Sequence, residues 1–127
     1  DAVLALLNKY NIPDPASPAR GVFHDPALQQ LYNTLVASGR TSLSKAFEAG
    51  ANIEDLDLKD LQRVVSETDN ADILLVYANL QKGSRNHMRA FYRNLQKQGI
   101  TYIPQYITQD ELNAIISSPM ERGYQQQ

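Results

Sequence analysis

The chain has 127 residues, 43% hydrophobic and 20% charged, the proportions of one globular domain with a moderate core. Its net charge of −2 provides no global basic field to draw in nucleic acid, and the absence of cysteine excludes disulfides, thiolate zinc sites and iron–sulfur clusters. No apolar run approaches the ~20 residues that span a bilayer and no targeting pattern is visible, so neither nucleic acid nor membrane is expected as a partner, and the compartment stays open.

Asp1–Tyr10 (DAVLALLNKY) reads as a helix with Val3, Leu4 and Leu7 on its apolar side. It starts mid-pattern behind a lone Asp1, so it is expected to be the second half of a helix that begins outside the chain. Asn11–Phe23 holds Pro13, Pro15, Pro18 and Gly21 and reads as an ordered loop. Asp25 and Pro26 then supply an N-cap and a first helical residue. The helix they open presents Leu28, Leu31, Tyr32 and Leu35 and stops at Gly39. His24 has no carboxylate or second histidine at ligand spacing and reads as a loop or cap residue.

Thr41 or Ser42 caps a long helix, and Asp69-Asn70 starts a second one that runs to Gly99. Ile100–Ile107 (ITYIPQYI) is apolar, aromatic and interrupted by Pro104; it is expected to lie extended across the bundle, since a lone strand has no sheet to join. Thr108–Glu111 is a capping box opening a short helix with Leu112, Ile115 and Ile116. Pro119 closes that helix, and 118–127 reads as a frayed tail of a single domain, 1–127.

The segment from Thr41 to Gly99 organises the chain. Its first helix carries Leu43, Phe47, Gly50, Glu54, Asp57, Leu61 and Val64 on one stripe; its second carries Ile73, Tyr77, Leu80, Ser84, His87 and Phe91. Folded back as an antiparallel hairpin, the two place Glu54 level with His87 and Asp57 level with Ser84. Gly50 and Gly83 fall near that level, where close backbone approach or room for a ligand matters. Asp55, Lys59 and Arg63 mark the exposed side of the first helix, and Arg85, Arg89 and Arg93 read as a solvated stripe on the second.

Two carboxylates and an imidazole converging inside a bundle suit iron, manganese or zinc. The pattern also admits a Glu54–His87 hydrogen bond without metal, or placement of the acidic residues on a solvated face. Tyr77, on the His87 stripe, reads as a core aromatic. Three ligands are too few for a dinuclear centre, and the other helices offer no buried Glu or His.

The stretches GVFHDPALQQLYNTLVASG, SLSKAFEAGANIEDLDLKDL and ETDNADILLVYANLQKGSRNHMRAFYRNLQKQGITYIPQYIT resemble the ferritin-like family known as domain of unknown function 2202. The resemblance runs from Asp1 to about Ile116, and its most specific blocks are IEDLDLKDL and GSRNHMRAF. It implies an all-α, ferritin-like antiparallel helix bundle with an inserted helix and a short C-terminal helix. It also implies a dinuclear iron or manganese site in which Glu54, Asp57 and His87 match the ligands of the third and fourth core helices. The family's first core helix and half of its second, with their Glu and Glu-x-x-His ligands, would precede Asp1, so half the site is expected in this chain. The expected function is a non-haem dinuclear-metal protein of oxidoreductase type. The alternatives are iron binding without turnover and a metal-free helical interaction module. The uncovered side of the hairpin invites a homodimer.

Overall fold

The computed structural model describes residues 1–123, and part of the expected tail, 124–127, lies outside them. Among the described residues five helices form in chain order: α1 (Ala2–Lys9), α2 (Pro26–Gly39), α3 (Leu43–Ser66), α4 (Ala71–Lys97) and α5 (Gln109–Ser117). The described residues contain no strand.

Local chemistry accounts for most boundaries. Asp1, Asp25, Ser42 and Asn70 each accept from backbone N–H groups of the turn they open, satisfying donors that have no intrahelical partner. Thr108 and Glu111 form the reciprocal capping box of α5. Helix α4 is closed just beyond its C-cap by Gly99 at φ +76°, where Gly99 N–H donates to Gln96 O and Ile100 N–H to Leu95 O, a Schellman closure. Helix α1 ends the same way with Asn11 at φ 55°, a conformation asparagine tolerates better than most residues. Helix α2 stops at Gly39 as expected; the glycine is its last residue, without positive φ, and packs against the Ala46 backbone of α3.

The α3–α4 hairpin is the spine of the fold and makes its most extensive helix contact. Its register follows the turn: Gly50 faces Phe91, Glu54 faces His87, and Asp57 shares one hollow with Ser84, Leu61 and Leu80. A Cβ at Gly50 would stand 2.5 Å from the Phe91 ring, so this glycine permits the close crossing expected of it. Gly83 has open space beside it and no such role.

The core lies on one side of the hairpin. Ala51 and Leu58 of α3 and Met88 and Leu95 of α4 pack with Tyr102, Ile107 and Leu112. Segment 101–107 crosses this side without regular structure, as its sequence suggests. What holds it is Asp55, which is fully buried rather than on the exposed side. One Asp55 oxygen accepts from Tyr102 Oη (2.8 Å) and Gln105 N (2.6 Å), the other from Tyr106 N (3.2 Å) and Ile107 N (2.8 Å). An extended segment with no neighbouring strand has backbone donors that need partners, and this carboxylate supplies them.

The arginine stripe is also corrected. Arg93 is exposed, but Arg89 is buried and Arg85 half-buried beneath the chain that returns after α5. Glu121 accepts from Arg85 at both oxygens (2.7 Å each) and from Arg89 (2.9 Å), and its backbone exchanges hydrogen bonds with the Asn86 amide. Arg89 also donates to Ile115 O, closing the end of α5. Residues 118–123 are thus anchored at Glu121, inside the stretch expected to fray.

Helix α1 buries none of its residues and docks on the start of α4 through polar groups: Lys9 and the Tyr10 hydroxyl both reach Asp72, and Asn70 donates to Tyr10. Helix α2 packs along the first half of α3. Loop 11–24 folds onto α2, where Gln29 donates to Gly21 O and accepts from Phe23 N, and the Phe23 ring lies 5.5 Å from Tyr32.

Candidate metal site

The polar cluster sits at the edge of the core, where the hairpin turns from its buried to its open face. One residue along a helix is a rotation of about 100°. The buried stripe of α3 is Ala51, Asp55 and Leu58, so the expected stripe through Gly50, Glu54 and Asp57 is turned by one position. Glu54 lies at the boundary and remains buried, whereas Asp57 and His87 are exposed, the His87 side chain at 66%. The face around them is apolar and uncovered: Ile53 and Leu80 are each more than 40% exposed.

Glu54 and His87 are in direct contact, with His87 Nδ1 3.1 Å from Glu54 Oε1. In the tautomer that donates from Nδ1, the imidazole lone pair is carried by Nε2; the ring is exposed, and among the described residues no hydrogen bond reaches that nitrogen. Glu54 Oε2 is buried and has no hydrogen-bond partner among the described residues. Ser84 lies close enough to favour the charged carboxylate, but no hydrogen bond of good geometry joins its hydroxyl to Oε2.

Burial raises the Glu54 pKa above the ordinary glutamate value; Ser84 and the His87 charge oppose the rise, and Asp57 adds to it. Burial likewise raises Asp57, aided by the neighbouring Asp60 and opposed by His87. Both carboxylates are therefore under-compensated by the groups around them. A buried carboxylate oxygen without a donor carries a desolvation cost that a cation or proton would relieve.

In kind, these residues fit a first-row divalent ion: a carboxylate holding a histidine by one nitrogen while the other nitrogen faces outward is a common second-sphere arrangement in metal sites. In number they do not complete one. Among the described residues no three of His, Asp, Glu or Cys stand where they could hold one ion together. The hairpin brings Glu54 and His87 together and leaves Asp57 alongside.

Asp55 and Glu121 were missed as organising carboxylates. Asp55 was detectable in principle, because segment 101–107 brings backbone donors and no acceptor strand. Glu121 had no comparable signal, since a single glutamate follows Pro119 in a polar tail.

A family profile described as "Uncharacterized protein domain (DUF2202)" matches residues 1–119. The chain is 54% identical over 124 residues to "Uncharacterized protein MJ0754" of Methanocaldococcus jannaschii, a match covering 97% of this chain and 67% of that protein. It also superposes on the crystal structure of hypothetical protein MJ0754 from Methanococcus jannaschii, with TM-score 0.92 and 53% identity, over 95% of this chain and 70% of that one. The hairpin, the crossing segment and the cluster thus lie almost wholly within the matched residues, and the chain belongs to the family of the uncharacterized domain DUF2202.

Proposed function

We propose that the chain is part of a ferritin-like helical bundle that binds iron or manganese, with Glu54, Asp57 and His87 as its contribution to a dinuclear centre. The observation that carries this reading is the Glu54–His87 pair: a buried carboxylate with one orphaned oxygen, holding an exposed imidazole by Nδ1. His87 would bind through Nε2, and Glu54 would orient the ring or turn its free oxygen toward the ion. Asp57, exposed and one turn along α3, would be a further carboxylate donor. A carboxylate–imidazole iron or manganese centre supplies redox chemistry with O₂ or peroxide, which makes an oxidoreductase the leading activity and iron binding without turnover the alternative.

The test is metal content after anaerobic reconstitution with Fe(II) or Mn(II) and desalting. Retained metal near a fixed ratio to protein, lost in His87→Ala and reduced in Glu54→Gln, supports the reading. Wild-type protein that retains no more metal than His87→Ala refutes it. Oxygen consumption by the Fe(II)-loaded protein then separates turnover from storage.

A second reading, a metal-free interaction module, is favoured by the Glu54–His87 contact, which partners the histidine without any ion. It predicts no retained metal and unchanged folding in both variants.

A further inference from the structure

We infer that the pocket between the second half of α4 and the chain returning after α5 binds a phosphate monoester with a small apolar body, held by Arg89 and Arg93. The inference does not depend on the metal-binding reading. Arg89 is two residues beyond His87, a rotation of about 200° around α4, so the two sites lie on different sides of that helix. Three observations carry it.

First, a buried guanidinium keeps one end free. The Arg89 side chain is only 5% exposed. Its Nε donates to Ile115 O and its Nη1 to Asn86 Oδ1 and Glu121 Oε2, which leaves Nη2 without a hydrogen bond among the described residues. Nη2 is not enclosed as Glu54 Oε2 is, and it opens on the hollows that Arg89 lines. It carries two N–H donors on a charged group already fixed in place, so little ordering is needed for it to meet an oxyanion.

Second, the local charge is unbalanced. Glu121 serves Arg85 and Arg89 together. Arg93, one turn beyond Arg89, is exposed and has no ion pair among the described residues. Three guanidiniums to one carboxylate leave a surplus of two positive charges, in a chain whose net charge is −2. A phosphate monoester carries about −1.5 to −2 at pH 7 and matches that surplus more closely than a singly charged carboxylate does.

Third, the pocket has the shape and walls for such a molecule. Of the two hollows beside Arg89, one is bordered by Glu121; the other, of about 280 Å³, is lined by Arg89 and Arg93 and by no carboxylate. Tyr92 and Gln96 line it too, and their side chains are unbonded among the described residues and able to donate. Its remaining wall includes Ile116, Pro119 and Met120, apolar surface suited to the body of an ester rather than to a second charge.

Phenyl phosphate titrated into the whole 127-residue chain at fixed ionic strength tests this, followed by calorimetry and nitrogen-15 correlation spectra. The expected result is saturable one-site binding, with shifts concentrated at the Arg89 and Arg93 Nε–H groups and the amides of Ile116, Ser118 and Met120. Inorganic phosphate and benzoate should each bind at least fivefold more weakly. Arg93→Gln should weaken phenyl phosphate at least tenfold, and circular dichroism should show the variant folded. Arg20→Gln, in the exposed loop 11–24, removes the same charge elsewhere and should leave the affinity unchanged. No saturable binding, or an equal loss in Arg20→Gln and Arg93→Gln, would overturn the site. Benzoate binding as tightly as phenyl phosphate would overturn the phosphate assignment, and inorganic phosphate doing so would overturn the apolar body.

Discussion

Replacing Asp55 with asparagine perturbs one functional group and leaves the shape of the side chain nearly unchanged. Each Asp55 oxygen accepts two hydrogen bonds, and three of the four donors are backbone N–H groups of the crossing segment. An amide keeps one oxygen for Tyr106 and Ile107 and turns its NH₂ group toward Tyr102 Oη, which can accept it and donate to Asn52 Oδ1 instead (2.9 Å), and toward Gln105 N, which is left facing a donor. The bonds from Tyr102 and Gln105 to a charged acceptor are lost, each worth about 1.5–3 kcal/mol. Asp55 is fully buried, so water does not replace them. Allowing for some retreat of the segment, Asp55→Asn should destabilise the chain by about 3–5 kcal/mol, the range for breaking a buried charged network. The assay is urea unfolding, combined with amide hydrogen exchange. Gln105, Tyr106 and Ile107 should lose protection by more than the global change, while helix α1, remote from the segment, should report only the global change. A loss below about 1 kcal/mol, with protection at 105–107 intact, would refute the claim that this carboxylate holds the segment.

Three further outcomes are expected. Glu54→Gln should raise stability at neutral pH by about 1 kcal/mol in metal-free protein, because burial raises the Glu54 pKa and ionisation is what costs. A raised carboxylate pKa favours the fold fully at pH below the unfolded value and loses that advantage as pH rises through the folded one. The gain from glutamine should therefore shrink toward pH 4 in thermal melts. Glu121→Gln should weaken the return of 118–123. The Arg85 hydrogen bond, then Arg89, holds the Glu121 carboxyl down at about 2, so its contribution is present above about pH 4.5 and lost as pH falls toward 2. Because that carboxylate is partly exposed, the loss should be only about 1–2 kcal/mol, read from melts at pH 7 against pH 3. Gly50→Ala places a methyl group against the Phe91 ring and should cost about 1–3 kcal/mol in urea unfolding, despite the better helix propensity of alanine.

The elements were legible because their signals are local. Asp25-Pro26, Asn70, Gly99 and the Thr108–Glu111 box each act within one helical turn, and each stands where its type predicts. Hairpin register was legible too, since a short turn between two long helices leaves Glu54 opposite His87 by counting alone. The rotation of the helices was not. Both long helices carry apolar residues on two sides, and periodicity alone does not say which side Tyr102, Ile107 and Leu112 will cover. That choice buried Asp55 and left His87 exposed. The same limit explains Arg85 and Arg89: an arginine stripe looks solvated until a carboxylate from a distant segment, Glu121, closes over it.

The central claim is that Glu54 fixes His87 by Nδ1 and leaves Nε2 to a metal. Nitrogen-15 NMR of the two imidazoles during a Zn(II) titration reads this directly, with diamagnetic Zn(II) standing in for iron or manganese. The account predicts that His87 Nε2 shifts as a bound nitrogen while Nδ1 keeps its proton, and that His24, in its exposed loop, stays unchanged. A His87 resonance indifferent to excess Zn(II), or a response at His24 equal to that at His87, would contradict it.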